Sequence, residues 1–307
     1  VKTTFLFTLF FATVACSLNP PKPQGSAKEM DVPASARESN ESPRQRLIIL
    51  PTLAEKSGVP SPILENARRD FIQELNKEQR YLILTNQDFN QDITRMKNDQ
   101  GDYDLDAISK AGAGLGATAL VELKILDVTS RKLGDSMGLV RQLKYKLTAQ
   151  VRVRVFSARN GKELLNQTRS ADVEDTTTRF GGTPEDRSGE ANQQLASQAI
   201  RSAFNMTLSA IGQMLEKLSW EGRIALISGE SVYLNAGRLS GLQIGDILKV
   251  TEEGEEIYDP NTGKFIGKAP GRMKGTLEVV NYFGKDGAIA VIHSGSGFKE
   301  NDRVEMY

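Results

Sequence analysis

Residues 145–155 read Tyr-Lys-Leu-Thr-Ala-Gln-Val-Arg-Val-Arg-Val, and they decide the fold class. Tyr145, Leu147, Ala149, Val151, Val153 and Val155 alternate with Lys146, Thr148, Gln150, Arg152 and Arg154, the period of a strand with one buried and one wet face. Asn160-Gly161 follows as a type I′ hairpin signal, so Glu163 to Val173 is expected to return antiparallel. Beyond a polar stretch at 181–190, Leu195, Ala199, Ile200, Ala203, Phe204, Leu208, Ile211, Leu215 and Leu218 form the stripe of a long helix from about Glu190 to Leu218.

Upstream, Leu47-Ile48-Ile49-Leu50-Pro51 reads as a short buried strand closed by proline. Ile63, Leu64, Ala67, Phe71, Ile72 and Leu75 then recur at helical steps, Tyr81 to Leu84 is a strand, and a short helix spans Leu105 to Ala111. Gly112, Gly114 and Gly116 lead into a strand at Ala117 to Val128. Residues 47–218 are therefore expected to be a mixed α/β domain with an antiparallel portion, placing the chain in the α+β class.

After Trp220, expected as a plug between domains, the texture changes. Short apolar runs at 224–227, 231–234, 247–251, 275–281, 288–292 and 303–306 recur between glycine and asparagine turns, without a helical period. Residues 222–307 are expected to form a small, SH3-like β-barrel.

The chain has 307 residues, with 39 Lys and Arg balancing 39 Asp and Glu. This balance excludes a strongly basic nucleic-acid binder. One cysteine and one histidine, Cys16 and His293, exclude an intrachain disulfide and zinc sites built on such ligands.

Residues 1–15 carry Lys2, an apolar run from Phe5 to Val14 and then Ala15, the order of a secretory signal. The run is shorter than the roughly 17–25 residues of a membrane span. Cys16 directly after Val14-Ala15 resembles a bacterial lipobox, in which diacylglycerol is attached to a cysteine that becomes the mature N-terminus. Thr13 departs from that motif. An ordinary signal peptide with an incidental cysteine is the alternative. Ser17 is not the aspartate that retains enterobacterial lipoproteins in the inner membrane, which favours the periplasmic side of the outer membrane. From Ser17 to Arg46, five prolines and nine charged residues against six weakly apolar ones cannot form a core, so 16–46 is expected to be a disordered tether. At ~3.3 Å per residue it reaches on the order of 100 Å.

Several local patterns invite chemistry. The Gly112, Gly114 and Gly116 cluster follows a helix and opens a strand, the reverse of a dinucleotide fingerprint, so a turn is expected there. Asp102, Asp104 and Asp106 mimic a calcium loop, but Ala107 and Ala113 stand where glycine and a carboxylate are required, so Asp104 is expected to cap a helix. Ser296 and Lys299 have acyl-enzyme spacing inside a glycine-rich turn, not at a helix start. Lys144, Lys146, Arg152 and Arg154 are expected to be a solvated strand face, with an acidic partner as the alternative, since a secretion signal argues against RNA. His293 lies in a strand-like run. No catalytic constellation, metal, cofactor or small-molecule substrate is expected.

Residues 222–307 resemble the C-terminal domain of the flagellar assembly protein T family, components of the H-ring of the basal body. The resemblance is carried by Val232-Tyr233-Leu234-Asn235-Ala236-Gly237, Gly241-Leu242-Gln243-Ile244-Gly245-Asp246, Tyr258-Asp259-Pro260 with Thr262-Gly263 and Ile266-Gly267, Gly275-Thr276-Leu277-Glu278-Val279, and Ser294-Gly295-Ser296-Gly297-Phe298. Asn235, Gly237, Gly241, Gly245, Asp246, Asp259, Pro260, Gly263 and Gly297 are its turn residues. Residues 47–218 look like the middle domain of the same family, which is similar to the curli secretion lipoprotein CsgG, the TolB N-terminal domain and the cell-wall synthase activator LpoB. That resemblance lies in the order of elements. The family usually carries a further N-terminal domain and no lipobox, where this chain has the tether and Cys16; the resemblances together with Cys16 imply a non-enzymatic lipoprotein in a basal-body ring, with further copies of itself and flagellar ring or rod proteins as partners. A CsgG-like export channel, with residues 129–150 and 168–190 inserting in a membrane, and an LpoB-like activator are the alternatives.

Overall fold

The antiparallel pair inferred from alternation forms one end of a larger sheet. The computed structural model describes residues 43–56, 58–77, 79–98, 101–134, 141–179, 188–263 and 265–307. The signal segment and Cys16 lie outside these residues, as do 181–187 of the expected polar loop. Strands β1 (Gln45–Ile49), β2 (Leu53–Ala54), β3 (Tyr81–Leu84), β4 (Ala119–Gly134), β5 (Arg141–Ser157) and β6 (Glu163–Arg179) form one sheet. Its order is β3-β1-β4-β5-β6, with β2 beside β4. β3, β1 and β4 are parallel, whereas β4, β5 and β6 are an antiparallel meander.

Burial follows the period of two. Leu147, Ala149, Val151, Val153 and Val155 of β5 lie beneath α1 (Ser61–Leu75) and the long α3 (Ser188–Leu215), where Phe71 and Phe204 meet edge-on at 5.9 Å. β1 is buried on both faces: Leu47 and Ile49 face those helices, while Ile48 and Leu50 join Tyr103, Ile108 and Phe156 on the other side. That second face is covered by α2 (Leu105–Gly114), and the Asp104 side chain caps it by accepting the Ala107 N–H at 3.0 Å.

Two local expectations need correction. α2 continues through Gly112 and Gly114 instead of stopping at Ala111. A Cβ at Gly112 would lie 2.3 Å from Ile48 Cδ1, so this glycine lets the last helical turn approach the sheet. The Asn160-Gly161 connection is not a type I′ turn, because Gly161 alone has a positive φ, at 66°. A register shift between Val155 and Phe156 widens the hairpin end into the loop 158–162, closed by Ser157 N–H to the Lys162 carbonyl at 2.9 Å.

The C-terminal lobe contains β7 (Gly222–Ser228), β8 (Ser231–Leu234), β9 (Ile247–Thr251), β10 (Glu256–Tyr258), β11 (Phe265–Lys268), β12 (Met273–Phe283), β13 (Gly287–Gly295) and β14 (Arg303–Met306). Six of these strands close a barrel in the order β12-β13-β8-β7-β14-β9. Val232, Leu234, Leu248, Val250, Leu277, Val279, Ala288 and Ala290 fill it, with Trp220 at one end. β10 and β11 form a separate ribbon. Both lobes fall within the compact unit Ser39–Tyr307.

Candidate functional site

The densest polar constellation lies where the lobes meet, and it is organised by Arg46. Alternation along β1 sends Leu47 into the helix-covered core and Arg46 the other way. Its buried guanidinium donates to the carbonyl of Leu115 at 2.9 Å, to the carbonyl of Asn235, to Ser240 Oγ at 2.9 Å and to Asp286 Oδ2 at 3.0 Å. Asp286 stands between β12 and β13. Its Oδ1 accepts the N–H groups of Gly237 and Ser240 at 2.9 and 3.0 Å, and its Oδ2 also accepts Ser240 Oγ at 2.6 Å. Burial pushes this carboxyl up, but the Ser240 bonds and the Arg46 charge outweigh it and hold its pKa below the ordinary aspartate value.

Further bonds tie the same surfaces. The Arg44 N–H donates to the Ser240 carbonyl at 2.7 Å. Arg223 Nε reaches the Ala113 carbonyl at the end of α2, at 3.2 Å. Gln45 Nε2 donates to the Leu215 and Leu218 carbonyls, satisfying acceptors at the end of α3. Glu221, at the start of the barrel, lies 3.8 Å from Arg159 of the α/β lobe and 4.0 Å from Arg303. Burial raises its pKa against the pull of Arg303, Arg159 and Arg223.

The turn residues singled out in the sequence separate into four places. Asn235, Gly237 and Gly241 build the junction, and a Cβ on Gly237 would stand 2.5 Å from the Gly287 carbonyl oxygen. Gly245 and Asp246 make a barrel turn in which Asp246 Oδ2 accepts the Gln243 N–H at 2.7 Å, while Gly297 has a positive φ in the β13–β14 connection. Asp259, Pro260 and Gly263 cap the β10–β11 ribbon, Asp259 accepting the N–H groups of Asn261 and Thr262 at 2.8 Å. These nine residues do not converge on one site.

The basic face of β5 is neutralised from within the sheet. Arg154 forms a two-pronged pair with the buried Glu122 at 2.6 and 2.8 Å, Arg152 lies 3.9 Å from the same carboxylate, and Lys146 pairs with Asp172 at 2.9 Å. The Lys144 side chain lies outside the described residues. His293 Nδ1 meets Thr276 Oγ1 at 3.0 Å, and Thr276 meets Ser294 Oγ at 2.8 Å; no carboxylate pairs with His293 among the described residues. The Ser296 N–H bonds the Lys274 carbonyl, and the Lys299 N–H bonds Asp302. No group of three His, Cys, Asp or Glu residues suited to a metal occurs among the described residues.

Two surfaces complete the picture. A cleft of about 960 Å³ between the lobes is lined by Arg44, Arg80, Arg238, Lys249, Trp220 and Tyr282, among others. On the barrel exterior, Leu226, Tyr233 and Ile289 stand in register on adjacent strands β7, β8 and β13, and Phe283 packs edge-on against Tyr233 at 5.3 Å. Leu226 and Phe283 are 47% and 40% exposed.

Arg46 and Asp286 had no marker in the sequence beyond a charge beside an apolar run; composition alone assigned Arg46 to the tether, whereas the first strand opens at Gln45.

No family model matches this chain, and no curated protein matches it. Among solved structures, the hypothetical protein CT253 from Chlamydia trachomatis is similar at 14% identity and a TM-score of 0.34, covering 56% of this chain and 98% of its own. Lipoprotein GNA1162 from Neisseria meningitidis is similar at 14% identity and a TM-score of 0.27, covering 56% and 98%. The LpoB C-terminal domain from Salmonella enterica is similar at 8% identity and a TM-score of 0.25, covering 45% and 90%.

Proposed function

We propose that the protein is a non-enzymatic lipoprotein anchored through Cys16 to the outer membrane, facing the periplasm, and that it helps to build a ring around a flagellar basal body. In this reading the α/β lobe is a CsgG/TolB-N-type domain and the barrel an SH3-like module of the flagellar assembly protein T type. The observation that supports an assembly role best is the row of outward apolar side chains, Leu226, Tyr233 and Ile289 with Phe283, on a barrel held to the other lobe by Arg46. Exposed apolar area of this kind favours a protein contact over water. The junction would pass load from the barrel to the anchored lobe. A ring requires head-to-tail contacts between copies, with the barrel engaging ring or rod proteins.

No helix among the described residues is long and apolar enough to cross a membrane. This statement does not extend to strands, and the lengths of β4, β5 and β6, at 16, 17 and 17 residues, favour the export channel as a second reading. Insertion of residues 129–150 and 168–190 into liposomes would select it. The first reading is tested by deleting the gene and imaging basal bodies in intact cells by electron tomography. Loss of a ring beneath the outer membrane, restored by the wild-type gene and not by Cys16→Ser, is the expected result. An unchanged motor in motile cells would refute the flagellar assignment.

A further inference from the structure

The cleft between the lobes has a charge pattern that the described residues do not balance. Four cations line it, Arg44, Arg80, Arg238 and Lys249, against two carboxylates, Glu216 and Glu305. The carboxylates are already engaged, Glu216 with Arg80 at 2.7 Å and Glu305 with Lys249 at 3.0 Å. Arg44 and Arg238 have no carboxylate partner among the described residues. Both are nevertheless anchored to one short turn, because the Arg44 N–H bonds the Ser240 carbonyl at 2.7 Å and the Arg238 carbonyl accepts the Gly241 N–H at 3.0 Å. One arginine comes from each lobe.

Arg238 is also pre-positioned. Its guanidinium lies 4.7 Å from the centre of the Tyr282 ring, and that ring is fixed by the Tyr282 hydroxyl donating to the Leu242 carbonyl at 2.7 Å. Stacking occupies the guanidinium face and leaves its N–H edge for a carboxylate, the geometry at which arginine exceeds lysine. Two like charges lining one cleft, without a counter-ion among the described residues, attract an anion. In the same cleft, the half-buried Leu218 and Met306 give an apolar portion, which a bare inorganic anion leaves unused.

We infer that this cleft binds an acidic, partly apolar peptide segment of a partner protein, its carboxylates held by Arg44 and Arg238 and its apolar side chains lying on the apolar portion of the same cleft. The inference rests on the cleft alone and stands whether or not the assembly is flagellar.

Binding is read by isothermal calorimetry, with the fluorescence of Trp220, the only tryptophan in the chain and a residue of the cleft wall that is 6% exposed, as a second signal. The full chain is titrated with the blocked peptide acetyl-Leu-Glu-Ala-Glu-Leu-amide and with its glutamine counterpart. Saturable binding of the acidic peptide, at least about ten-fold weaker for the glutamine peptide, is expected. Arg238→Glu and Arg44→Glu should each weaken it by at least about ten-fold, and Arg238→Gln by less, with far-UV circular dichroism unchanged. Equal affinity for both peptides, or affinity untouched by charge reversal, would overturn the inference. So would binding to a uronic-acid oligosaccharide or to phosphatidylglycerol vesicles without binding to the acidic peptide.

Discussion

Replacing Arg46 with methionine tests whether the two lobes behave as one body. The substitution keeps much of the aliphatic volume but removes four hydrogen bonds, to Leu115, Asn235, Ser240 and Asp286, and leaves a carboxylate at the junction without its cation. Removing one partner of a buried pair costs about 3–5 kcal/mol. Asp286 keeps the Gly237 N–H, the Ser240 N–H and the Ser240 hydroxyl, so the lower end, about 3 kcal/mol, is expected. At about 2–4 °C per kcal/mol for a body of this size, the melting temperature should fall by roughly 6–12 °C. Trp220 fluorescence follows the barrel core and far-UV circular dichroism follows the whole chain, so their transitions should coincide in the wild type and separate in R46M. Asp286→Asn should cost a similar amount, and the double variant clearly less than the sum. A melting temperature within about 1 °C of wild type, or additive single effects, would refute the idea that this contact joins the lobes.

Three further outcomes are expected. Gly237→Ala should destabilise by more than about 2 kcal/mol, because its Cβ meets the Gly287 backbone, whereas Gly263→Ala meets open space at φ 65° and should cost only about 1–2 kcal/mol; urea midpoints that reverse this order contradict the packing described. Arg154→Ala should cost more than Glu122→Ala, because it leaves a carboxylate that is 1% exposed with only Arg152 at 3.9 Å, while the reverse leaves a guanidinium that is 20% exposed and still has Glu163 at 3.7 Å; thermal melts of the two variants decide. The junction should also respond to pH in both directions. Asp286 has a lowered folded pKa, so its contribution is complete above the ordinary value of 3.8 and is lost as pH falls through the lower folded value. Glu221 has a raised one, so its contribution is present below the ordinary value of 4.5 and is lost as pH rises through the higher folded value. Melting temperature against pH should have a shallower acid limb in Asp286→Asn, the rest being kept by other lowered carboxyls such as Asp92, Asp172 and Asp259, and should flatten on the other side in Glu221→Gln; unchanged limbs would remove these groups from the account.

Much of the fold could be read along the chain. The alternation from Lys146 to Val155, the helical stripe ending at Leu75 and six short barrel strands each appear where local pattern placed them, whereas the long helix, expected to run to Leu218, ends at Leu215. The β10–β11 ribbon was missed because its Ile257, Tyr258 and Ile266 are exposed, leaving no alternation between buried and wet faces. The loop after Ser157 was misjudged because a bulge in the pairing, invisible in the dipeptide Asn160-Gly161, sets the hairpin's width.

What the sequence determined by itself is whatever a period of two or 3.6, or a turn residue, records locally: the strands, the helices and the barrel's corners. How the polar side chains are shared out is set by tertiary packing alone. Arg46 and Asp286 are 240 residues apart, and Glu122 and Arg154 pair across strands whose register had to be known first. A charge has no period of its own, and its partner is settled by which backbones the buried apolar faces bring together.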